Sequence, residues 1–280
     1  MAIRFTETGY AKINLALHVR RRRDDGYHIL ETIFAFLDHG DLLQVDEGDD
    51  LSLKITGPFS EGLATDASNL VLQAAMLLRQ VTGCTKGAQL HLEKILPVAS
   101  GIGGGSADAA ATLRLLNNYW RLGLSLLELS RIAEPLGADV PACVLSETCR
   151  GQGIGNELEM LPKANIAGMT ALLVNAGIAV STPEIFSRWG RNDLGPLNQG
   201  DVLETAINGR NDLQPLAIEC QPAIAETIEA MADHKANLVR MSGSGATCFA
   251  LFNDQNHANA LRTRLENEKP SYWTMVGKIR

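Results

Sequence analysis

The stretch from Pro97 to Asp108 constrains this chain most, because it places Gly101, Gly103, Gly104 and Gly105 within five residues. It follows an alternating segment, Gln89–Ile95, typical of a strand, and it precedes a helical pattern from about Ser106 to Tyr119. Glycine has no Cβ and tolerates positive φ, so backbone N–H groups in such a loop can point inward around an anion. The following helix adds the positive end of its dipole. The sequence therefore predicts a phosphate-binding loop, with a flexible turn as the alternative.

Two better-known phosphate motifs do not fit this loop. The pattern GxxxxGK[ST] is absent from the chain, and in the dinucleotide-binding pattern Ser106 stands where the third glycine should be. No parallel βαβ pattern precedes the loop either. These mismatches argue against an oxidoreductase that uses the loop for a dinucleotide.

Composition excludes several classes of protein. The 280 residues suit one large domain or two modest ones, and the formal net charge of -7 argues against a nucleic-acid-binding protein. Backbone N–H groups can still bind an anion in an acidic protein. The five cysteines are odd in number and lack CxxC spacing, so neither a disulfide framework nor a zinc site is expected. We find no signal peptide and no membrane span in the sequence, and we expect a cytoplasmic protein.

The first half of the chain predicts strands around a hairpin and three helices. Alternation over Lys12–Val19 places Lys12 and Asn14 on one face of a strand, opposite an apolar face. Asp25-Gly26 is a hairpin-type turn signal. We then predict strands at His28–Leu37 and near Leu42–Val45. The first helix is expected at 69–81, with Ser68 as its cap, and the second at 106–119. The third is expected from Ser125 to Gly137, and its Ser125 and Glu128 form the pattern of a capping box.

The second half predicts an α+β arrangement, and we place a domain boundary near residue 160, giving domains 1–160 and 161–280. Strands are expected at Thr170–Val174, Leu238–Met241, Thr247–Phe252 and Tyr272–Val276. Helices are expected after the cap Thr182, at Pro222–Asp233 and at Asn256–Glu266. The order of strands and helices matches a ferredoxin-like split βαβ unit.

The glycine loop resembles the phosphate-binding motif of the GHMP kinases, a family that includes galactokinase, homoserine kinase and mevalonate kinase. Five further segments match in order, and the resemblance runs from about residue 9 to about residue 252: Ala11–Leu15, Asp25–His28, Leu136–Pro141, Arg210–Leu213 and Met241–Ala246. The family commonly has Gly where Ala99 stands, Ala at Ser100 and Ser at Ala107, which leaves a hydroxyl contact from position 107 in doubt.

This resemblance implies a two-domain α+β GHMP kinase fold, with an N-terminal half like ribosomal protein S5 domain 2 and a ferredoxin-like C-terminal half. It implies ATP as phosphoryl donor, accompanied by Mg²⁺ for which no carboxylate at the loop is clearly placed. The residues implied for ATP binding are Asn69, Lys94, Pro97, Val98, Ala99, Ser100, Gly101, Ile102, Gly103, Gly104, Gly105, Ser106 and Ala107.

The resemblance also implies Asp139 as general base and Lys12 as its charged neighbour. A nearby ammonium keeps a carboxylate ionised and stabilises charge on the transferring phosphate. The alternatives are that Asp139 only caps a helix and that Lys12 is solvated. Asn14 is assigned to substrate, to orienting Asp139, or to a hydrogen bond with a neighbouring loop.

Within the family, the segment Asp25–His28 points to the branch whose acceptor alcohol carries a cytidine diphosphate and serves the non-mevalonate isoprenoid route. Tyr27 and Phe186 would stack on cytosine, His28 would read its edge, and Pro183 would shape the pocket. Gly243 and Ser244 would close over phosphates and substrate, with a tight hairpin as the alternative. A solvated loop is the favoured interpretation of Arg20–Arg23 over contact with the diphosphate.

Three other functions stay open at this point: another GHMP kinase, a dinucleotide-dependent oxidoreductase, and a non-catalytic nucleotide-binding module. We expect a small-molecule partner, no nucleic acid, no membrane, and a monomer or weak homodimer.

Overall fold

The computed structural model describes residues 5–161, 165–232 and 235–280. Its strands are β1 (Phe5–Arg22), β2 (His28–Asp46), β3 (Leu51–Thr56), β4 (Ala88–Glu93), β5 (Cys149–Gln152), β6 (Glu157–Met160), β7 (Thr170–Asn175), β8 (Leu238–Met241), β9 (Cys248–Phe252) and β10 (Trp273–Lys278). Its α-helices are α1 (Leu70–Thr82), α2 (Gly104–Trp120), α3 (Leu126–Ile132), α4 (Val140–Leu145), α5 (Thr182–Ser187), α6 (Val202–Asn208), α7 (Gln214–Cys220), α8 (Ala223–Met231) and α9 (Gln255–Glu268).

The chain forms two compact units. The first comprises Met1–Ala11, His39–Val98 and Gly103–Ser146; the second comprises Lys12–Asp38, Ala99–Ile102 and Glu147–Arg280. Strands β1 and β2 each contribute residues to both units. The boundary predicted near residue 160 stays a prediction.

In the first unit, β4 pairs in parallel with β3 and antiparallel with residues 42–46 of β2. Asn69, not Ser68, caps α1, because its side chain accepts the Val71 N–H at 2.9 Å. The buried face of α1 comprises Val71, Leu72, Ala74, Ala75 and Leu78. Val81, near the end of this helix, is exposed.

Helix α2 is the central helix of the first unit. It begins at Gly104, two residues before the predicted start, and it is buried on nearly all sides from Ala107 to Asn117. Its buried residues include Ala109, Leu113, Leu116 and Trp120. The capping box is also confirmed: the Ser125 hydroxyl accepts the Glu128 N–H, while the Glu128 carboxylate accepts the Ser125 N–H at 2.8 Å. Helix α3 nevertheless ends at Ile132, and a short 3-10 turn at Glu134–Leu136 leads to Gly137.

Strand β2 is continuous, although two strands were predicted there. The polar segment between the two predicted strands stays extended, and its carboxylates pair with groups from other parts of the chain. Asp38 accepts the Lys278 N–H at 2.7 Å, and Asp41 is fully buried. A Cβ on Gly40 would lie on the backbone of Gly9, so only glycine permits the close approach of these two strands.

The second unit contains a four-stranded antiparallel sheet in the order β10-β7-β9-β8. Numbered by appearance this order is 4-1-3-2, which confirms the ferredoxin-like prediction. Phe249, Phe252, Leu172 and Val174 are fully buried. Asp233, the predicted end of the helix now seen as α8, lies outside the described residues. Strands β3, β5 and β6 and helix α6 were not predicted.

All five cysteines are free thiols. No helix within residues 5–161, 165–232 and 235–280 combines the length and apolar character needed to cross a membrane.

Candidate active site

The glycine loop joins β4 to α2 through three residues with positive φ: Ala99 (51°), Gly101 (77°) and Gly103 (67°). Gly104 and Gly105 are already in the first turn of α2, so only two of the four glycines use the left-handed region. The first intrahelical hydrogen bond runs from the Ala107 N–H to the Gly103 carbonyl at 2.7 Å. The N–H groups of the preceding turn therefore lie at the positive end of a 17-residue helix, where an anion is favoured.

Gly101 packs against the turn between β8 and β9 within the second unit. A Cβ at this position would lie 2.4 Å from the Ser242 carbonyl oxygen. The Ser242 hydroxyl donates to the Gly101 carbonyl at 2.8 Å, and the Thr247 N–H donates to the Ser100 carbonyl at 3.0 Å. Ser100 and Gly101 of the glycine loop are therefore hydrogen-bonded to the turn between β8 and β9. The second glycine segment, Met241–Ala246, lies at this turn.

Asn211 supports the second glycine segment. Its amide donates to the carbonyls of Met241 and Gly243, each at 2.8 Å, and its oxygen accepts the Leu213 N–H. The last of these bonds forms an Asx turn before α7. Asn211 also fixes the backbone on both sides of Ser242.

Lys12 is buried in β1, with its side chain 3% exposed, so the solvated alternative is wrong. Its ammonium donates to Asn14 Oδ1 at 2.9 Å and lies 5.4 Å from the centre of the Phe34 ring. Asn14 Nδ2 donates to the Thr32 hydroxyl at 2.9 Å, which donates to the Ala16 carbonyl at 2.6 Å. Asn14 thus orients Lys12, an arrangement that period 2 permits but does not predict.

Asp139 belongs to the first unit and is half-buried at the start of α4. It occupies the N-cap position but has αR dihedral angles, and its side chain makes no capping hydrogen bond. The capping alternative is therefore wrong, and the carboxylate is not used to begin the helix.

Lys94 lies in a buried cluster with two aspartates that sequence reasoning missed. Its ammonium contacts Asp41 Oδ2 at 2.5 Å and Asp108 Oδ2 at 2.7 Å. Asp41 Oδ1 also accepts the N–H groups of Ile95 and Leu96. A Cβ on Gly104 would lie 3.0 Å from the Lys94 ammonium, so this cluster reaches the first turn of α2.

Burial changes the titration of Asp108 in this cluster. Burial raises the pKa of Asp108 to about 8, although the Lys94 charge opposes the shift. Its Oδ1 atom is buried and makes no hydrogen bond within the part of the chain that the structure describes. Burial opposes the charge of Lys94, but the two carboxylates raise its pKa overall. Burial therefore favours the protonated form of Asp108 beside the charged Lys94.

His28, Phe186 and Trp189 form an aromatic group in the second unit. The ring centroids of His28 and Phe186 are 5.1 Å apart, and Trp189 meets His28 edge-on at 5.6 Å. Tyr27 is 59% exposed beside them. Burial, with a smaller contribution from Arg22, lowers the pKa of His28, and its Nε2 atom is buried without a partner among the described residues. A neutral imidazole with an unused nitrogen is suited to reading a polar ligand.

Helix α5, which carries Phe186, has its N-cap one residue earlier than predicted. The Ser181 side chain, not that of Thr182, accepts the Glu184 N–H. Pro183 is exposed in the first turn, and the Thr182 hydroxyl pairs with that of Ser244 at 2.8 Å. Helix α5 is therefore in contact with the second glycine segment through this pair of hydroxyl groups.

The structure assigns Asn69 a local task. Its oxygen caps α1, and its amide donates to the Ala64 carbonyl at 2.8 Å. Contact with ATP through this residue stays a prediction.

Comparison with known proteins identifies the family. The description "GHMP kinases N terminal domain" matches residues 69–147, and "GHMP kinases C terminal" matches residues 194–271. The chain is a GHMP kinase. These two matches cover the glycine loop with Asp139 and, separately, the second glycine segment.

Curated relatives of this GHMP kinase match along its full length. A protein of Rhizorhabdus wittichii is 46% identical over 98% of this chain and 94% of its own length. One of Sphingopyxis alaskensis is 46% identical over 100% of both chains. Both relatives are named 4-diphosphocytidyl-2-C-methyl-D-erythritol kinase.

Solved structures agree on the fold of this GHMP kinase. A crystal structure of 4-(cytidine 5'-diphospho)-2C-methyl-D-erythritol kinase superposes with a TM-score of 0.82, at 31% identity over 98% of both chains. A mevalonate kinase from Methanococcus jannaschii has a TM-score of 0.71 at 11% identity, over 99% of this chain and 98% of its own, and supports the fold alone.

Proposed function

We propose that this GHMP kinase transfers the γ-phosphoryl group of ATP to the 2-hydroxyl of 4-diphosphocytidyl-2-C-methyl-D-erythritol, in the non-mevalonate route to isoprenoid precursors. The observation that carries this proposal is the 46% identity, over the full length, with relatives that bear the name of this kinase. The aromatic group around His28 supports the choice of acceptor, since mevalonate and homoserine contain no base to stack.

The glycine loop is suited to the triphosphate. We propose that the N–H groups at the start of α2 and the positive-φ residues before it surround the β- and γ-phosphates. Exposed or half-buried backbone at Ala99, Gly101 and Gly105 supports this role, because a ligand can reach it. ATP binding by Ser106 and by the rest of the predicted set follows the same reasoning.

Asp139 is proposed as the general base that accepts the proton of the acceptor hydroxyl. Its half-buried position at the start of α4 supports this role, because a small ligand can still reach the carboxylate. Lys12 is proposed as the cation that stabilises charge on the transferring phosphoryl group. Phosphoryl transfer depends mainly on such positioning and charge stabilisation, and the hydrogen bond to Asn14 holds this ammonium in one place.

We propose that cytosine stacks between Tyr27 and Phe186 while His28 hydrogen-bonds its edge. Two features support this arrangement: the Tyr27 ring is exposed, and the unpartnered His28 Nε2 needs a partner. Pro183 and the Gly243-Ser244 segment are proposed to border the acceptor, as predicted from the family.

The described residues offer no ready-made cluster of metal ligands. No group of three or more His, Cys, Asp or Glu side chains that could hold a metal ion occurs in the described ranges. This agrees with the general preference of Mg²⁺ for substrate phosphates plus water over a full protein cage. We therefore propose that any Mg²⁺ arrives with ATP. A monomer or weak homodimer located in the cytoplasm is part of the same proposal.

The test of the acceptor is an ADP-release assay that offers the cytidyl alcohol, mevalonate and homoserine in parallel, with product mass as a second readout. We expect turnover only with the cytidyl alcohol. Turnover with mevalonate or homoserine alone would refute the choice of acceptor.

The test of the general base is Asp139→Asn. We expect ATP binding to persist and phosphoryl transfer to fall by about 10²–10⁴-fold, which is what removal of a general base costs. Glu134→Gln, an exposed carboxylate five residues earlier, is the matched control and should keep full turnover. Equal turnover of Asp139→Asn and the wild type would exclude the assignment.

A further inference from the structure

The second unit contains a cavity lined mainly by arginines. Its volume is about 560 Å³, and it lies at the end of β1, where the hairpin turns towards β2. Its lining residues are Arg20, Arg21, Arg22, Arg23, Asp24, Gly26, Trp189 and Arg191. The favoured interpretation from sequence was a solvated loop, but five of these eight residues are arginines that converge on one concave surface.

Two of the five guanidinium groups are neutralised. Arg20 contacts Glu31 at 3.1 Å and Asp193 at 2.9 Å, and Arg23 contacts Asp25 at 2.7 Å. These ion pairs fix the walls of the cavity, and Asp193 is itself held by the Gly195 N–H.

The other three arginines have no carboxylate within ion-pair distance among the residues that the structure describes. Arg21, Arg22 and Arg191 share the cavity with one further carboxylate, Asp24. Glu31, Asp193 and Asp25 already pair with Arg20 and Arg23, so the five arginines exceed the four carboxylates by one positive charge. Like charges in a concave site raise the local potential, and an anion relieves their repulsion. Because three guanidinium groups have no ion pair, an anion with several oxygens can accept from more than one of them.

The chemistry of the side chains favours phosphate oxygens. A guanidinium presents a planar fork of donors that binds phosphate in a bidentate manner. The volume accommodates two linked phosphates with water or an attached group. Trp189 lines the cavity and also meets His28 edge-on. The Trp189 side chain would therefore lie between an occupant of the cavity and His28 of the predicted cytosine pocket.

We propose that this arginine cavity binds a diphosphate group. Two sources supply that chemistry: the diphosphate of the cytidyl acceptor, or a free diphosphate compound that acts as an effector. The first source rests on the proposed function, whereas the second does not depend on it.

The test measures binding of inorganic pyrophosphate by calorimetry in Mg²⁺-free buffer. The variant R21Q/R22Q/R191Q removes the three unpaired charges. The control R79Q/R121Q/R131Q removes the same number of charges from arginines that do not line the cavity. Because pyrophosphate can also meet the glycine loop, the decisive quantity is the difference between the two triple variants. We expect the cavity variant to lose at least 10-fold in affinity and the control to stay within 2-fold of the wild type.

The single variant R21Q keeps the test valid if the triple variant unfolds, since this side chain is exposed and makes no ion pair among the described residues. It should lower pyrophosphate affinity several-fold while leaving the melting temperature unchanged. Equal affinity in cavity and control variants, or wild-type binding too weak to detect at 10 mM pyrophosphate, would overturn the proposal.

A second arm distinguishes the sources. If the acceptor supplies the diphosphate, CDP displaces pyrophosphate, and the cavity variant raises the acceptor KM but not the ATP KM. If a free compound supplies it, pyrophosphate binds equally to CDP-saturated protein. Either result supports the cavity, and turnover of the cytidyl alcohol tests the proposed function independently of both.

Discussion

Replacement of Asp108 by Asn tests the buried cluster around Lys94. Asn has nearly the same shape and keeps an oxygen for the Lys94 ammonium, but it has no proton to release. The folded protein holds the pKa of Asp108 at about 8, against 3.8 for the unfolded chain. Between these pH values the folded state binds one proton that the unfolded state has released.

The sign and size of the effect follow from this difference. Because the folded pKa is raised, the stabilising contribution is complete below pH 3.8 and is lost as the pH rises through about 8. One proton corresponds to a slope of about 1.4 kcal/mol per pH unit. From pH 5.5 to 7.5 the unfolding free energy of the wild type should therefore fall relative to Asp108→Asn by about 2–3 kcal/mol.

Urea denaturation at pH 5.5, 6.5 and 7.5, followed by far-UV circular dichroism, measures this change. Asp49→Asn, an exposed carboxyl in the same unit, is the control and should follow the wild-type pH dependence. If wild type and Asp108→Asn differ by a constant amount across the three pH values, Asp108 is ionised in the fold and the reasoning fails.

Three further changes have defined outcomes. Gly101→Ala places a Cβ against the Ser242 carbonyl in a positive-φ position and should cost about 1–3 kcal/mol, seen as a lower melting temperature with weaker ATP binding; an unchanged melting temperature would contradict the close packing. Lys12→Met removes the donor to Asn14 and should lower kcat by about 10²–10³-fold with ATP affinity retained; a normal kcat would remove Lys12 from the mechanism. His28→Phe should raise the KM of the cytidyl alcohol at least 10-fold without changing the KM of ATP. Because burial and a neighbouring guanidinium lower the pKa of His28, the wild-type KM should stay constant down to pH 6.5 and rise only in more acid buffer; a rise that begins above pH 6.5 would contradict the lowered pKa.

Local signals predicted much of the fold. The capping box at Ser125 and the span of β8 depend on residues close in sequence, and both predictions are confirmed. The ferredoxin-like sheet was predicted from the succession of strands and helices along the chain, and it is also confirmed. The continuity of β2 was not predictable, because it depends on a long-range contact between Gly40 and Gly9.

In the candidate site, too, residues in local motifs were predictable and residues with distant partners were not. The glycine loop and Lys12 carry motif signals, but whether Lys12 is buried depends on strands distant in sequence. Asp41 gave no signal, because an aspartate after glycine resembles a turn, and its partner Lys94 is 53 residues away. Thr32 and Trp189 were also missed, because their partners Asn14 and His28 are distant in sequence.

The chain of hydrogen bonds from Lys12 through Asn14 and Thr32 to Ala16 has only one possible direction. An ammonium can only donate, a backbone carbonyl can only accept, and the amide between them must therefore turn its oxygen towards Lys12. The rotamer entropy of both side chains is spent when the protein folds. In the proposed reaction the substrate would therefore meet a preorganised charge at Lys12, and none of its binding energy would be needed to arrange it.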